Sequence, residues 1–424
     1  MHRSRRYHFI PFSATTLLML SSLAAGFLSG CSGVNRDTET VSPTASYAPV
    51  RLGPTSTPAT TPTPIALAFP TATLLPIPAI DNSDHSLGNP GAQITLLVYS
   101  DFQCPYCAQF YQAWKQAQAL HPEDVKLVFR HFPLLPIHDK ADLAGAAAEI
   151  SAQENLFWEM HDILFERHQE WVNLDREGFA GWLMAVASEL ELDPEFFLKE
   201  LSAGKYQTAM DAAYRAGVDA GIPGTPFIFL NGVWYRLNPT AINLEASIRL
   251  ELLKTKQYLE PPQMEFKEST LYFAHLELDQ GEIIIQLFPE QAPATIASYI
   301  FLAEQGWYDG IGFHTVQTDS MVESGDPTGT GLGGPGYLLL DEIGDTLNFD
   351  EIGMLAMSSS GPNTNGSRFF INLVPLPYLN GSRTIVGRVI SGLELLTGLN
   401  ERDPLEDLFE PYELVIRSIR IERR

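Results

Sequence analysis

Hydrophobic and polar positions divide the chain into four stretches. The first carries Arg3, Arg5 and Arg6, then a mostly apolar run from Ala14 to Phe27. That run is shorter than the ~20 residues a spanning helix needs. The second, 32–87, has no hydrophobic period. Thr, Pro, Ser and Ala dominate it, and proline removes backbone donors while restricting its neighbours, so an extended, semi-stiff spacer is expected. In the third stretch, Ile94–Tyr99 is a continuous apolar run suited to a buried strand. Phe110, Trp114 and Ala117 then recur on one helical face, Val125–Arg130 reads as a second strand, and Ala141–Leu201 reads as several helices. Phe227–Leu230 followed by Asn231-Gly232 signals a hairpin. After Glu260-Pro261-Pro262 the pattern changes again. Leu271–Leu278 and Glu282–Leu287 read as strands, Ala292–Gln305 as a helix, and Leu414–Ile421 as a last strand beyond several Gly-rich turns. A closed β-barrel with a couple of helices fits this fourth stretch.

Composition adds boundaries to that picture. The 424 residues allow two or three domains, and 45% hydrophobic with 18% charged residues is an ordinary globular balance. Lys and Arg number 27 against 51 Asp and Glu, a net charge of −24. Nucleic-acid binding needs basic patches to meet phosphate, so that class is excluded. The basic start and short apolar run read as a signal peptide. Leu28-Ser29-Gly30-Cys31 resembles a bacterial lipobox, which implies cleavage before Cys31 and lipid on its thiol. The expected location is extracytoplasmic, lipid-anchored to a bacterial membrane.

The chain has 3 cysteines, and Cys104-Pro105-Tyr106-Cys107 holds two of them at the start of the predicted helix. There, unsatisfied N–H groups and the helix dipole favour a thiolate. Pro105 suits the first helical position, where its missing N–H costs nothing. A zinc site would need a second ligand pair at suitable spacing, and a purely structural disulfide is the other competing reading. Asp101 either caps the strand-to-helix turn or tunes the thiols, and His131 and His138 read as solvated or core side chains. No cofactor and no metal is expected.

The stretch from Gly88-Asn89-Pro90 through Phe102-Gln103-Cys104-Pro105-Tyr106-Cys107, with Thr225-Pro226, resembles the DsbA-like branch of the thioredoxin superfamily. The resemblance implies that Cys104 attacks, Cys107 resolves, and Thr225 and a cis Pro226 present backbone to a substrate strand. It also implies that the helical block is an inserted domain. Thiol oxidase is the first expectation for electron flow; reductase or isomerase is the alternative.

Phe313-His314, Gly325-Asp326-Pro327-Thr328-Gly329-Thr330-Gly331, Gly361-Pro362-Asn363-Thr364-Asn365-Gly366-Ser367 and Phe369-Phe370-Ile371 resemble cyclophilins, which isomerise X-Pro bonds. By that resemblance the pocket comprises His314, Thr315, Met321, Glu323, Arg368, Phe370, Leu379 and Arg383. Thr315 stands where the family has its catalytic arginine, and Glu323 where it has a glutamine. Either Arg368 or Arg383 supplies the missing cation, or the domain binds proline peptides without turning them over.

The expected architecture is therefore multidomain: an α/β thioredoxin fold with helical insertion, then a mainly antiparallel β-barrel with two helices. Its parts are a signal peptide and lipobox at 1–31, a linker at 32–87, a DsbA-like domain at 88–260 and a cyclophilin-like domain at 264–424. Expected partners are unfolded or partly folded exported proteins, an unidentified membrane redox partner, and the membrane through lipid on Cys31.

Overall fold

A computed structural model describes residues 77–344 and 346–424. The expectations for 1–31, including Cys31, and for most of the linker lie outside the described residues. The first domain is a five-stranded sheet with helices on it. Its elements are β1 (His85–Gly88), β2 (Ile94–Ser100), α1 (Pro105–Leu120), β3 (Val125–His131), α2 (Ala141–Ala152), α3 (Phe157–Glu166), α4 (His168–Trp171), α5 (Arg176–Glu189), α6 (Pro194–Ser202), α7 (Lys205–Asp219), β4 (Phe227–Leu230), β5 (Val233–Trp234) and α8 (Ala241–Leu253). The strand order is β1-β3-β2-β4-β5, with β2 parallel to β3 and antiparallel to β4.

Alternation along β2 divides its side chains between two cores. Leu96 and Val98 join Trp114, Phe129, Leu164 and Trp171 on one face, while Leu97 and Tyr99 join Phe132, Ile222 and Phe229 on the other. Covered on both faces, the strand has little need of polar positions, which is why Thr95 alone interrupts its apolar run. The helical block is punctuated by side-chain caps: Asp175 accepts from Gly178 N, and Asp193 from Glu195 N and Phe196 N.

The folded region begins before Gly88, where the linker was expected to end. His85–Gly88 pairs with β3, and Arg130 donates to the carbonyls of Pro78 and Ala79 and to Asp84. Four residues cannot show a hydrophobic period, and β1 is an edge strand of alternating half-buried and exposed positions.

The second domain comprises β6 (Tyr272–Leu278), β7 (Gly281–Leu287), α9 (Pro293–Glu304), β8 (Ile311–Gly312), β9 (Thr315–Gln317), β10 (Met321–Ser324), β11 (Met354–Ser359), β12 (Asn365–Asn372), β13 (Ile385–Ser391) and β14 (Val415–Arg423). The nine strands form one curled antiparallel sheet in the order β8-β14-β6-β7-β13-β11-β12-β10-β9. It curls into a half-barrel of the mainly antiparallel, cyclophilin-like kind expected, and the two ends of the order, β8 and β9, pair with β14 and β10. These short strands are consecutive, joined by Phe313-His314 alone, so the chain carries the sheet from one end of the order to the other. Where two helices were expected, the described residues form one α-helix and two 3₁₀ turns, Pro377–Leu379 and Leu393–Leu396. The latter is confined to four residues between Gly392, at φ 86°, and an extended Thr397. Leu253 at the end of α8 packs into this second core, and Tyr258 N donates to Pro335 O, so the junction lies inside the packed structure.

Candidate functional site

The thiol site is built where β2 runs out. Ser100, Asp101, Phe102 and Gln103 turn the chain, and Cys104 takes the N-cap position of α1 with φ −70° and ψ 122°. Cys107 follows one turn later, with no exposed surface against 3% for Cys104. Opposite them the Thr225–Pro226 bond is cis, and Cys104 Sγ lies 3.4 Å from Thr225 O. A hydrogen bond from the Cys107 thiol is the largest influence on Cys104. Helped by Thr225 and by the N–H groups of Cys107 and Tyr106, it overcomes burial and lowers the Cys104 thiol to about 6. Burial, together with that same bond, pushes Cys107 well above the ordinary thiol range. The arrangement divides the pair into one nucleophile and one proton-bearing partner.

Asp101 does more than the turn-capping expected of it. Its Oδ1 accepts from Gln103 N at 2.7 Å, while Oδ2 accepts from Leu134 N and pairs with His138 Nδ1, each at 2.7 Å. Its own N–H points at Cys107 Sγ, 3.5 Å away. The bond to Asp101 raises the pKa of His138 despite its partial burial. That pair therefore stabilises the fold fully below about pH 6.5, and its contribution fades as pH climbs through the raised value. Sequence separation hid this pairing, since 37 residues divide the two side chains.

The reduced protein is expected to be alkylated by iodoacetamide at Cys104, with a rate that rises through a midpoint near about 6. Mass mapping should find Cys107 unmodified. A midpoint at the ordinary thiol value of about 8.5 would contradict this account of the site.

In the second domain, β10 lies between β9 and β12. Glu323 is directly opposite Thr315 on one side and Phe370 on the other. Opposed and alternate residues share a sheet face, so Thr315, Met321, Glu323, Arg368 and Phe370 are aligned on one surface. Met321, Phe370 and Leu379 pack with Phe349, Met354 and Leu376 to form its apolar floor. Arg368 Nη1 donates to Glu323 Oε1 at 2.9 Å, and Nη2 to Ser360 Oγ at 3.0 Å. The other carboxylate oxygen, Glu323 Oε2, accepts from Ser358 Oγ at 2.7 Å. Arg383 donates instead to Ser359 Oγ at 3.0 Å. Of the two arginines singled out from the sequence, Arg368 is the one on the surface with Thr315 and Phe370. Burial lowers the pKa of His314, whose Nε2 has no hydrogen-bond partner and lies 3.9 Å from Glu323 Oε1. Sequence reading missed Ser358 and Ser360 as the hydroxyls holding this ion pair.

Comparison with known proteins divides the chain the same way. Residues 273–421 match the family described as "Cyclophilin type peptidyl-prolyl cis-trans isomerase/CLD", and residues 81–249 match a "Thioredoxin" family. Peptidyl-prolyl cis-trans isomerase ppi1 of Schizosaccharomyces pombe is 43% identical over 145 residues, covering 33% of this chain and 94% of that protein. Peptidyl-prolyl cis-trans isomerase-like 1 of Rhizopus delemar is 44% identical over 139 residues, covering 32% and 84%. A solved cyclophilin type peptidyl-prolyl cis-trans isomerase of Cryptosporidium parvum is 33% identical, covering 36% of this chain and 98% of that one, with a TM-score of 0.33. Through residues 273–421 this chain belongs to the cyclophilin-type peptidyl-prolyl cis-trans isomerase family, and it carries a thioredoxin-like domain ahead of that region.

Proposed function

We propose that the chain is an extracytoplasmic protein-folding factor joining a DsbA-like thiol oxidase to a cyclophilin-type prolyl isomerase. The observation that carries the reading is the Cys104 thiol, lowered to about 6 at a helix N-terminus and facing the Thr225–Pro226 loop. In the oxidised state a client thiolate attacks Cys104 Sγ, the Cys104–Cys107 bond breaks, and Cys107 leaves and takes up a proton. A second client thiolate then attacks the mixed disulfide, forming the client's disulfide and releasing Cys104 as a thiolate. A thiol near 6 leaves more readily than an ordinary client thiol near 8.5, which directs electrons from client to protein. A membrane redox partner, reached because lipid on Cys31 holds the chain to a bacterial membrane, removes them.

The test mixes the oxidised chain with a reduced, unfolded two-cysteine peptide. About one peptide disulfide should form per chain, and none with Cys104→Ser. Failure of the wild type to oxidise the peptide, with transfer running from a disulfide client to the reduced chain instead, would make it a reductase.

In the second domain the apolar floor of Met321, Phe370 and Leu379 receives the proline ring, and Arg368 supplies the guanidinium that stabilises the twisted amide. The barrier is ~18–20 kcal/mol because resonance must be lost. A preorganised donor that meets the pyramidal nitrogen lowers it. The Glu323–Arg368 pair favours a second reading. A guanidinium neutralised at 2.9 Å holds the peptide without turning it over, and the domain serves as a client-binding module.

A further inference from the structure

His85, His131 and Glu149 lie far apart in sequence and meet on the first domain, away from the pocket residues of the second. His85 Nε2 is 2.8 Å from Glu149 Oε1, and His131 Nε2 is 2.9 Å from the same oxygen. One ligand atom from each of the three falls within 4.8 Å of the others. Each comes from a different element: His85 from edge strand β1, His131 from the end of β3, Glu149 from α2. The rings are held in place by aromatic neighbours. His85 stacks on Phe157 with centroids 3.4 Å apart and planes at 8°, and His131 sits edge-on to Phe129 at 5.2 Å and 85°.

We propose that these three side chains form a divalent transition-metal site of two imidazoles and one carboxylate, suited to zinc or cobalt, with a fourth position open to solvent. The donor set is the borderline N and O chemistry such ions take, and it has no thiolate competitor among its members. A tetrahedral ion with bonds of ~2.0–2.1 Å separates its ligand atoms by about 3.4 Å. The two histidine–carboxylate separations, 2.8 and 2.9 Å, must each widen by about half an ångström to admit it. Both Nε2 atoms converge on the same Glu149 oxygen, so an ion that replaces their protons finds the three donors already gathered. The side chains of His85 and Glu149 retain 23% and 26% exposure, which leaves a path for the ion and for a water ligand. An ion here would fasten β1, the first strand after the Pro- and Thr-rich segment, to α2 and β3. Sequence reading expected no metal because it sought partners for the C-x-x-C. These ligands have no motif spacing, Glu149 lying 64 positions after His85 and 18 after His131.

The test uses the full chain without an affinity tag, with Cys31, Cys104 and Cys107 replaced by Ser so that thiols cannot take the ion. Cobalt(II) should bind at one equivalent and give the visible bands of a four-coordinate site. Zinc should displace it and raise the thermal midpoint. His85→Ala and Glu149→Gln should each weaken cobalt binding at least tenfold and abolish the zinc-induced shift, with circular dichroism unchanged. Should His85→Ala unfold, Glu149→Gln alone decides, since it keeps the side chain's shape. The proposal is overturned if micromolar cobalt is not bound, or if it is bound equally well by the parent and Glu149→Gln.

Discussion

Replacing Arg368 by Gln is expected to lower X-Pro isomerisation by the full-length chain about a hundredfold, the scale on which single preorganised donors act. The variant removes the charge and shortens the side chain while keeping it polar. Glu323 would lose the guanidinium now 2.9 Å from its Oε1. Arg383→Gln is expected to leave the rate within about threefold, because its guanidinium is engaged with Ser359 and not with the row containing Thr315 and Phe370. Adding Thr315→Arg to Arg368→Gln should restore most of the activity by placing a guanidinium directly opposite Glu323. A protease-free assay on an X-Pro peptide reads all three. If the wild type shows no rate above background while still binding the peptide, the binding-module reading replaces the isomerase. If Arg368→Gln is as fast as wild type, the cation comes from elsewhere.

The largest stability effect is expected from Asp326→Ala. The side chain is fully buried and accepts five hydrogen bonds: Thr328 N and Thr328 Oγ1, both at 2.7 Å, Thr330 Oγ1 at 3.2 Å, Leu332 N at 3.0 Å and Gly333 N at 2.9 Å. Each buried donor left without a partner costs ~1–3 kcal/mol, less what the loop recovers by relaxing. A net loss of about 4 kcal/mol follows from several such donors acting together. The preceding Gly325 adds a constraint. It sits at φ +94°, and a Cβ there would lie 2.3 Å from Ser367 O, so the turn that aims Asp326 admits no other residue. Calorimetry should show the second domain's transition shifted down by many degrees, with Asp326→Asn intermediate. A shift of only a degree or two would mean the loop is held by its backbone alone.

How much of this was legible beforehand depended on the range of the interaction. Ile94–Tyr99 announced a strand covered on both faces, and Asn231-Gly232 announced its hairpin, because both are set by local backbone and burial. The C-x-x-C position at a helix start was legible for the same reason. The Asp101–His138 pair, the His85–His131–Glu149 cluster and the choice of Arg368 over Arg383 were not. Each depends on which strand lies beside which, and a single sequence does not state register. Residues 85–87 fall inside the expected linker because an edge strand shows only a weak alternation that a proline-rich approach obscures.

Cys104 and Cys107 are the only cysteines in the two folded domains, and both are free thiols here. Neither core contains a crosslink, so nothing in the protein's architecture waits on an oxidant. Under the oxidase function proposed above, a chain that needed its own disulfides to fold would depend on a copy made earlier, and a new population would mature slowly from a scarce seed. As the proposed oxidase, this chain would escape that circularity. It can reach its final shape under reducing or oxidising conditions alike and acquire its working bond afterwards, so its abundance and its oxidation state can be set independently.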